Sequence, residues 1–402
     1  MRIEIRLIQK RMQLTKLQIF QRALRGFKRT VMNNIMKELL YFSLFCFVLI
    51  YGCNNGTYYQ ESIDNAIYYP NTCFYAFEDI SSPRFAHLKE KYQLDTIFHG
   101  ETDEMERVLL LRHWIKSKIA IEDFSPEYPG NGYVEEILDA ALCGTGFHCG
   151  HFSKVQNAVM NAYGYLTRGL GVGPGVLGGA DGHHGINEIW LNSHQKWFLS
   201  DAKYDHHFEK DGIPLSALEI RDEYLKNKAA DITMVHGLER TPLEFNPETE
   251  KTKEEHAQTY TWTSHLAYGN MFTVWPKYKE LLLMFDDEFS RNNIWYWGGK
   301  PHWTYAKPEF VRRIADRHQI EWTPNTIASH VTIAGNRATI ELTSDTPNLL
   351  EYQVKLTEDG EWEKTDPTSI VQLKRRQHSI TFRTKNLAGV TGPEHKVIIK
   401  RR

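Results

Sequence analysis

The spacing of apolar residues divides the chain into a largely helical part and a strand-rich part. In 102–119, apolar residues recur every three or four positions, which predicts an amphipathic helix. Asp103, with Glu106 three residues later, is typical of a helix start. From Cys149 onward the same spacing recurs until Gly164, which predicts a second helix that ends at this glycine.

A β-hairpin is predicted after the second helix. Two strand-like apolar runs flank the polar turn at 192–195. If Leu191 lies opposite Lys196, the pairing places His184 beside Asp201 or its neighbour. The hairpin therefore predicts an imidazole next to a carboxylate on adjacent strands.

The last part of the chain alternates between apolar and polar residues with a period of two. From about residue 326, six such runs are separated by turn signals such as Asp359-Gly360 and Ala388-Gly389. Short strands at this spacing are typical of a β-sandwich. The expected fold class is α+β, with an antiparallel sheet and a Cys-bearing helix followed by an all-β sandwich.

The N-terminal segment has the pattern of an export signal. Residues 39–51 form an uncharged apolar run that is too short for an ordinary transmembrane helix, and Gly52 and Cys53 follow it. A cysteine after a small residue resembles the lipobox of bacterial lipoproteins, which implies acylation of Cys53. A plain signal peptide or an uncleaved anchor is the alternative. Met32 or Met36 would each give a signal of ordinary length.

Charge and cysteine usage narrow the function classes. The chain of 402 residues has 48 Lys and Arg against 50 Asp and Glu, so no basic field indicates a nucleic-acid partner. Of the five cysteines, Cys46 lies in the signal and Cys53 is the lipidation site, which leaves Cys73, Cys143 and Cys149. An odd number leaves at least one free thiol, and Cys73 with Cys143 could form a disulfide.

The candidate chemistry is centred on Cys149. A helix N-terminus and a nearby imidazolium both lower the pKa of a thiol and favour the nucleophilic thiolate. A lone cysteine is more often core filler, but His184 and Asp201 on the predicted hairpin supply a base and its orienting carboxylate. His183 is the alternative base.

The remaining histidines allow a zinc site as a competing hypothesis. Adjacent histidines on a strand point to opposite faces, however, so neither 183–184 nor 206–207 can chelate one ion as a pair. Next to the cysteine, His148 and His151 are expected to point away from the thiol, because side chains at a helix start diverge. No metal and no cofactor is expected.

Four short motifs together carry a family resemblance. They are Cys-Gly-x-aromatic-Ser from Cys149, Gly-x-x-x-Arg at 164–168, His-x-x-Asn-Glu-hydrophobic-Trp from His184, and Trp-x-x-x-Asp ending at Asp201. This order resembles the transglutaminase-like core, the superfamily of transglutaminases, papain-like peptidases and peptide N-glycanases. The resemblance covers roughly residues 100–205. It implies that Cys149 is the nucleophile, His184 the base and Asp201 the orienting residue. Phe147 stands where the family usually has glycine.

The resemblance also implies an activity and a domain order. The expected function is hydrolysis of an amide bond in a peptide, protein or glycopeptide, and acyl transfer to an amine stays open. The expected order is a signal and lipobox (1–53), a transglutaminase-like domain (54–244), an aromatic-rich connecting region (245–325) and a sandwich (326–402). The sandwich resembles fibronectin type III or immunoglobulin-like modules.

Two further expectations concern location and partners. Acylation of Cys53 implies a lipid anchor in the bacterial cell envelope, so that the membrane is a partner besides the substrate. The alternative to an enzyme is a catalytically silent carbohydrate- or protein-binding module of a surface uptake system. Six of the ten tryptophans fall in 262–322. Among them Trp295, Trp297 and Trp303 are expected to fill core rather than form a stacking surface.

Lipidation is directly testable. We expect wild-type protein expressed in bacteria to incorporate a fatty-acid label, and Cys53→Ser to lose it, because the thiol is the acylated group. Metabolic labelling followed by gel imaging measures this, with Cys143→Ser as the matched control. Equal labelling of wild type and Cys53→Ser would contradict the lipobox.

Overall fold

The fold combines helices with several antiparallel sheets. The computed structural model describes residues 57–73, 75–123, 133–174, 183–269, 282–292, 296–297, 300–301 and 311–402. Helix accounts for 27% and strand for 36% of the structure, so the predicted α+β class is confirmed at this level.

The helices of the described residues cluster in the first two thirds of the chain. They are α1 (Pro83–Lys91), α2 (Glu104–Lys118), α3 (Val134–Leu142), α4 (Cys149–Ala162), α5 (Ala217–Asn227), α6 (Lys253–Thr259), α7 (Glu288–Asn292) and α8 (Arg317–Ile320), with a 3₁₀ helix at Leu94–Phe98. Both predicted helices are present as α2 and α4. Asp103 caps α2 as predicted, since its side chain accepts a hydrogen bond from the Glu106 N–H at 3.0 Å.

The strands before the sandwich are mostly short. They are β1 (Tyr58–Glu61), β2 (Ala76–Phe77), β3 (Ala120–Ile121), β4 (Gly146–Phe147), β5 (Thr167–Gly173), β6 (His184–Leu191), β7 (Lys196–Ser200), β8 (His206–Lys210), β9 (Ile213–Pro214), β10 (Thr233–His236), β11 (Thr241–Pro242), β12 (Phe245–Asn246), β13 (Lys251–Thr252), β14 (Trp262–Leu266), β15 (Tyr268–Gly269), β16 (Leu282–Phe285), β17 (Tyr296–Trp297), β18 (Lys300–Pro301) and β19 (Val311–Ile314). The longest of them, β5 and β6, lie at the centre of the main sheet.

The strands of the C-terminal part include all six that the alternation predicts. They are β20 (Ala328–Ala334), β21 (Arg337–Thr343), β22 (Leu349–Lys355), β23 (Glu363–Thr365), β24 (Thr368–Gln372), β25 (Gln377–Asn386) and β26 (His395–Arg401). They form two sheets, β1-β26-β25-β22-β23 and β20-β21-β24, around a shared apolar core.

The main sheet has the strand order β19-β16-β14-β5-β6-β7. The predicted hairpin is present as β6 and β7, with Leu191 opposite Lys196 and Asn187 opposite Ser200. Helix α4 packs on β6. Both faces of β6 are therefore covered: Ile189 belongs to the core shared with the helices, and Trp190 to a core on the other side.

Gly164 ends α4 in the manner that the sequence predicts. Its φ of +78° lies in the left-handed region, where a residue with a Cβ is strained. A Cβ at this position would also lie 2.7 Å from the Cβ of Ala388 in the sandwich. The Asn386 side chain donates a hydrogen bond to the Gly164 carbonyl at 3.1 Å. This turn thus packs directly against the C-terminal sandwich.

The sheet topology differs from the expected domain boundaries at two places. Residues 58–61 pair with β26, so the start of the described chain adds an edge strand to the C-terminal sandwich. The expected connecting region, 245–325, contributes β14, β16 and β19 to the main sheet. The expected boundaries were based on local composition, which carries no information about strand pairing between residues far apart in the chain.

One buried ion pair ties the main sheet together. Arg168 on β5 donates to Glu188 on β6 at 2.6 and 3.0 Å, and both side chains are fully buried. The second Glu188 oxygen accepts from the Ala217 N–H at the start of α5, at 2.8 Å. Glu188 therefore has a structural role, in which it joins β5, β6 and the start of α5.

Removing one partner of this pair tests its contribution to stability. We expect Arg168→Met to lower the free energy of unfolding by about 3–5 kcal/mol, because Glu188 would stay buried without its cation. Urea denaturation followed by circular dichroism measures this. Lys91→Met is the control: it breaks the exposed pair with Asp139 and should have a much smaller effect. Equal losses in both variants would contradict the role of the buried pair.

Candidate active site

Cys149 is the first residue of α4. His148 caps the helix: its Nδ1 accepts a hydrogen bond from the Gly150 N–H at 3.1 Å. The thiol is partly exposed and lies near His184, which is the first residue of β6. The predicted position of Cys149 at a helix N-terminus is confirmed.

His184 and Asp201 form the expected imidazole–carboxylate pair. His184 Nε2 lies 2.7 Å from Asp201 Oδ2, and both side chains are buried. The Cys149 thiol and the His184 ring interact, since each shifts the pKa of the other. Because Nε2 faces the carboxylate, Nδ1 is the nitrogen left for the thiol. The three residues that the sequence singles out thus meet at one place, with the imidazole between the thiol and the carboxylate.

Helix α4 and strand β6 approach each other closely at Gly185. A Cβ at this residue would lie 3.4 Å from the Gly150 Cα and 3.7 Å from the Cys149 carbonyl carbon. These are ordinary van der Waals distances, so a Cβ would fit here in direct contact with the start of α4. Gly185 also hydrogen-bonds to the thiol through its backbone.

Asp201 is held by a tight turn after β7. Its Oδ1 accepts from the N–H groups of Lys203 at 2.9 Å and Tyr204 at 3.2 Å. Its backbone also pairs with that of His206 across an isolated bridge. With one oxygen committed to the turn, the other is aimed at His184, which fixes the orientation of the imidazole.

The charges of the triad stabilise one another. Burial alone would raise the pKa of the Cys149 thiol, but hydrogen bonds with His148 and His184, the His184 charge and the Gly185 N–H together lower it to about 4. Burial alone would lower the pKa of His184, but the Asp201 charge, its hydrogen bond and the thiolate raise it to about 10. Near neutral pH the site is therefore a thiolate–imidazolium pair.

The expectation for His148 is wrong, whereas His151 is turned away from the thiol. The His148 side chain folds back over the helix start, where it both caps Gly150 and contacts the thiol. A capping side chain must curl toward the first N–H groups of its helix, and Cys149 lies at that point. The His151 ring instead packs against Phe147, with centroids 4.8 Å apart.

His183 and the pair at 206–207 also occupy distinct positions. His183 is exposed at the cavity, whereas His184 makes the contacts with thiol and carboxylate. His206 Nε2 lies 3.2 Å from the Tyr260 hydroxyl, and His207 faces Arg112 and Glu209 on the opposite side of β8. Among the described residues, no three His, Cys, Asp or Glu side chains are grouped so that they could hold a metal ion.

The triad opens into a cavity of about 640 Å³. This volume is within the range of small-molecule sites. One wall belongs to α4 and β6, and the other to β13, α6 and the loop before them. The lining residues are Asp123, His148, Cys149, His183, His184, Lys203, Tyr204, Glu248, Thr249, Lys251, His256, Thr259 and Tyr260.

The second wall is the part of the site that sequence reasoning missed. Tyr204 stands beside His184 with ring centroids 5.5 Å apart, and His256 packs edge-on against Tyr204 at 6.0 Å. Lys203 forms an ion pair with Asp123, 80 positions earlier in the chain. The histidine-rich stretch around 206 was the only sequence signal near this wall. The lining residues between 248 and 260 come from the region expected to be a connector.

The other two cysteines within the described residues are unpaired. Cys73 is buried and Cys143 is exposed, and both are free thiols, so the possible disulfide between them is absent. Cys73 belongs to an apolar core with Trp190 and Trp322, and burial raises the pKa of its thiol. Exclusion from solvent makes Cys73 the less reactive kind of thiol.

Two predictions lie outside the described residues. The signal and Cys53 precede residue 57, and Trp295 and Trp303 fall between described segments, while only the backbone of Trp297 is described. No helix in the described part of the chain is both long and apolar enough to cross a membrane.

No protein-family model matches the sequence, and no curated protein matches it. The chemistry of the site therefore rests on its geometry.

The ionised thiol gives a measurable pH profile. With the Cys149 pKa near 4 and the His184 pKa near 10, we expect the rate of Cys149 alkylation by iodoacetamide to be nearly constant from pH 5 to pH 9 and to fall below the lower pKa. In His184→Ala the rate at pH 6 should fall by roughly 10- to 100-fold, because the counter-charge is lost.

Quenched time points, digestion and mass spectrometry give the rate at each cysteine. Exposed Cys143 is the reference thiol in the same digest. A Cys149 rate that rises about tenfold per pH unit between pH 5 and pH 8 would contradict a thiolate at neutral pH.

Proposed function

We propose that this protein is a thiol-dependent amide hydrolase with a transglutaminase-like Cys-His-Asp site. The observation that carries the proposal is the continuous chain from Cys149 through His184 to Asp201 at the edge of an open cavity. A structural cysteine requires neither an imidazole partner nor an oriented carboxylate behind it.

The first half of the reaction forms an acyl-enzyme. The Cys149 thiolate attacks the carbonyl carbon of the amide, and a carbon–sulfur bond forms. Collapse of the tetrahedral intermediate breaks the carbon–nitrogen bond, and the His184 Nδ1–H donates its proton to the departing amine. Asp201 stays ionised and keeps the imidazole oriented.

The second half releases the acyl group. The neutral His184 takes a proton from water, whose oxygen attacks the thioester carbon, and the carbon–sulfur bond breaks to regenerate the thiolate and the imidazolium. An amine in place of water would give acyl transfer. The cavity is open enough to admit either acceptor. We prefer hydrolysis because water is always present, whereas an amine must first bind.

The substrate class and location extend the same proposal. A cavity with tyrosine rings, hydroxyl groups and both signs of charge suits a peptide, a protein segment or a glycopeptide. Lipidation at Cys53 would keep the enzyme in the bacterial cell envelope, where such substrates are abundant.

Triad variants test the proposal. A library of peptides and glycopeptides is screened with wild type, and hydrolysis is followed by mass spectrometry. We expect Cys149→Ala and His184→Ala to lower kcat/KM by at least roughly 10⁴-fold, because nucleophile and proton donor act as one unit. Asp201→Asn should retain roughly ten- to a hundredfold more activity than Cys149→Ala or His184→Ala, since Asp201 itself transfers no proton.

Cys143→Ser is the matched control, because it removes an exposed thiol that does not line the cavity. It should hydrolyse substrates at the wild-type rate. Cleavage that survives in Cys149→Ala would exclude thiol catalysis. A wild type that cleaves no member of the library would instead favour the role of a binding module for the cavity.

A further inference from the structure

The cavity contains two ion pairs that neutralise most of its charge. Lys203 pairs with Asp123. Both oxygens of Glu248 bind the Lys116 ammonium, at 2.8 and 2.9 Å. A ligand therefore meets these charges already compensated, and it gains little from replacing either partner.

Lys251 is the exception. It lies on β13, lines the cavity and is half-buried. Within the described part of the chain, no carboxylate forms an ion pair with its ammonium group. Besides the Thr252 hydrogen bonds, the Lys251 charge helps to lower the pKa of Glu255. One oxygen of that carboxylate, however, accepts hydrogen bonds from the Thr252 N–H and hydroxyl at 2.7 and 2.8 Å. Lys251 is thus a half-buried cavity residue whose ammonium group has no carboxylate partner among the described residues.

The position of Lys251 relative to the triad follows from the rings between them. Its charge acts on His256, whose ring packs against Tyr204. Tyr204 in turn stands beside His184. Lys251 therefore lines the same cavity as Cys149, on the wall formed by β13 and α6. A bound peptide that spans the cavity touches both.

We propose that Lys251 binds a carboxylate of the substrate, so that the preferred substrates are anionic peptides. This inference rests on the proposed function. The scissile amide is neutral and needs no counter-ion, whereas the ammonium group of a cavity lysine without a carboxylate partner can form a charge-assisted hydrogen bond with a carboxylate of the ligand. The carboxylate comes either from the C-terminus of the peptide or from an acidic side chain.

Paired thiol probes test the charge preference without a known substrate. The probes are 6-maleimidohexanoate, which is anionic, and its neutral amide, and the measured quantity is the ratio of their rates at Cys149. Because the His184 charge also attracts the anionic probe, the ratio in each Lys251 variant is compared with the ratio in the wild type. We expect Lys251→Met to lower the ratio by about three- to tenfold, as for one partly solvated charge contact.

A general change in thiol reactivity affects both probes equally and therefore leaves the ratio unchanged. Lys251→Gln is a second neutral variant if Lys251→Met folds poorly. Lys251→Arg should keep the wild-type ratio. Lys253→Met is the matched control, since Lys253 lies two residues away but pairs with Glu244 outside the cavity. The difference between wild type and Lys251→Met should shrink at high salt.

Two maleimide-bearing peptides identify the source of the carboxylate. One has a free C-terminus and neutral side chains, and the other has a C-terminal amide and one glutamate. The peptide whose rate falls in Lys251→Met, relative to a neutral peptide, carries the recognised group.

Equal ratios in wild type and both neutral Lys251 variants would overturn the inference and leave the proposed function intact. A Cys149 that fails to react even with the neutral probe would overturn the proposed function itself.

Discussion

The site depends on the close contact between the start of α4 and the start of β6. This contact brings a thiol at a helix N-terminus next to an imidazole at the first residue of a strand, and Gly185 lies at the point where helix and strand meet. The packing of α4 on β6 fixes the distance, through a core that the helices share with Ile189. Without that core, neither the lowered thiol pKa nor the raised imidazole pKa would exist.

Each buried charge near the site has its own set of partners, which keeps the triad available. Asp201 is shared between the turn and His184. Behind it, Asp205 binds Arg112 at 2.7 Å, and Arg112 also donates to His207 Nδ1 at 3.0 Å. Because that cation is committed to its own carboxylate, it does not compete with His184 for Asp201.

The region after residue 245 has two structural roles. It completes the main sheet through β14 and forms the cavity wall through β13 and α6. Its Lys251 is the cavity charge that remains uncompensated in the described part of the chain. The proposed carboxylate site would thus lie on a segment that is separate in sequence from the motifs that carry the triad.

The sequence by itself determined the elements and the triad. Helical periodicity located α2 and α4, alternation located the hairpin and sandwich strands, and the register of β6 with β7 brought His184 to Asp201. These features depend on neighbours close in the chain. Tertiary structure decided the rest: the return of residues 58–61 to the sandwich and the cavity wall from β13. Each of these joins residues whose partners are chosen by packing in three dimensions, and no local pattern encodes that choice.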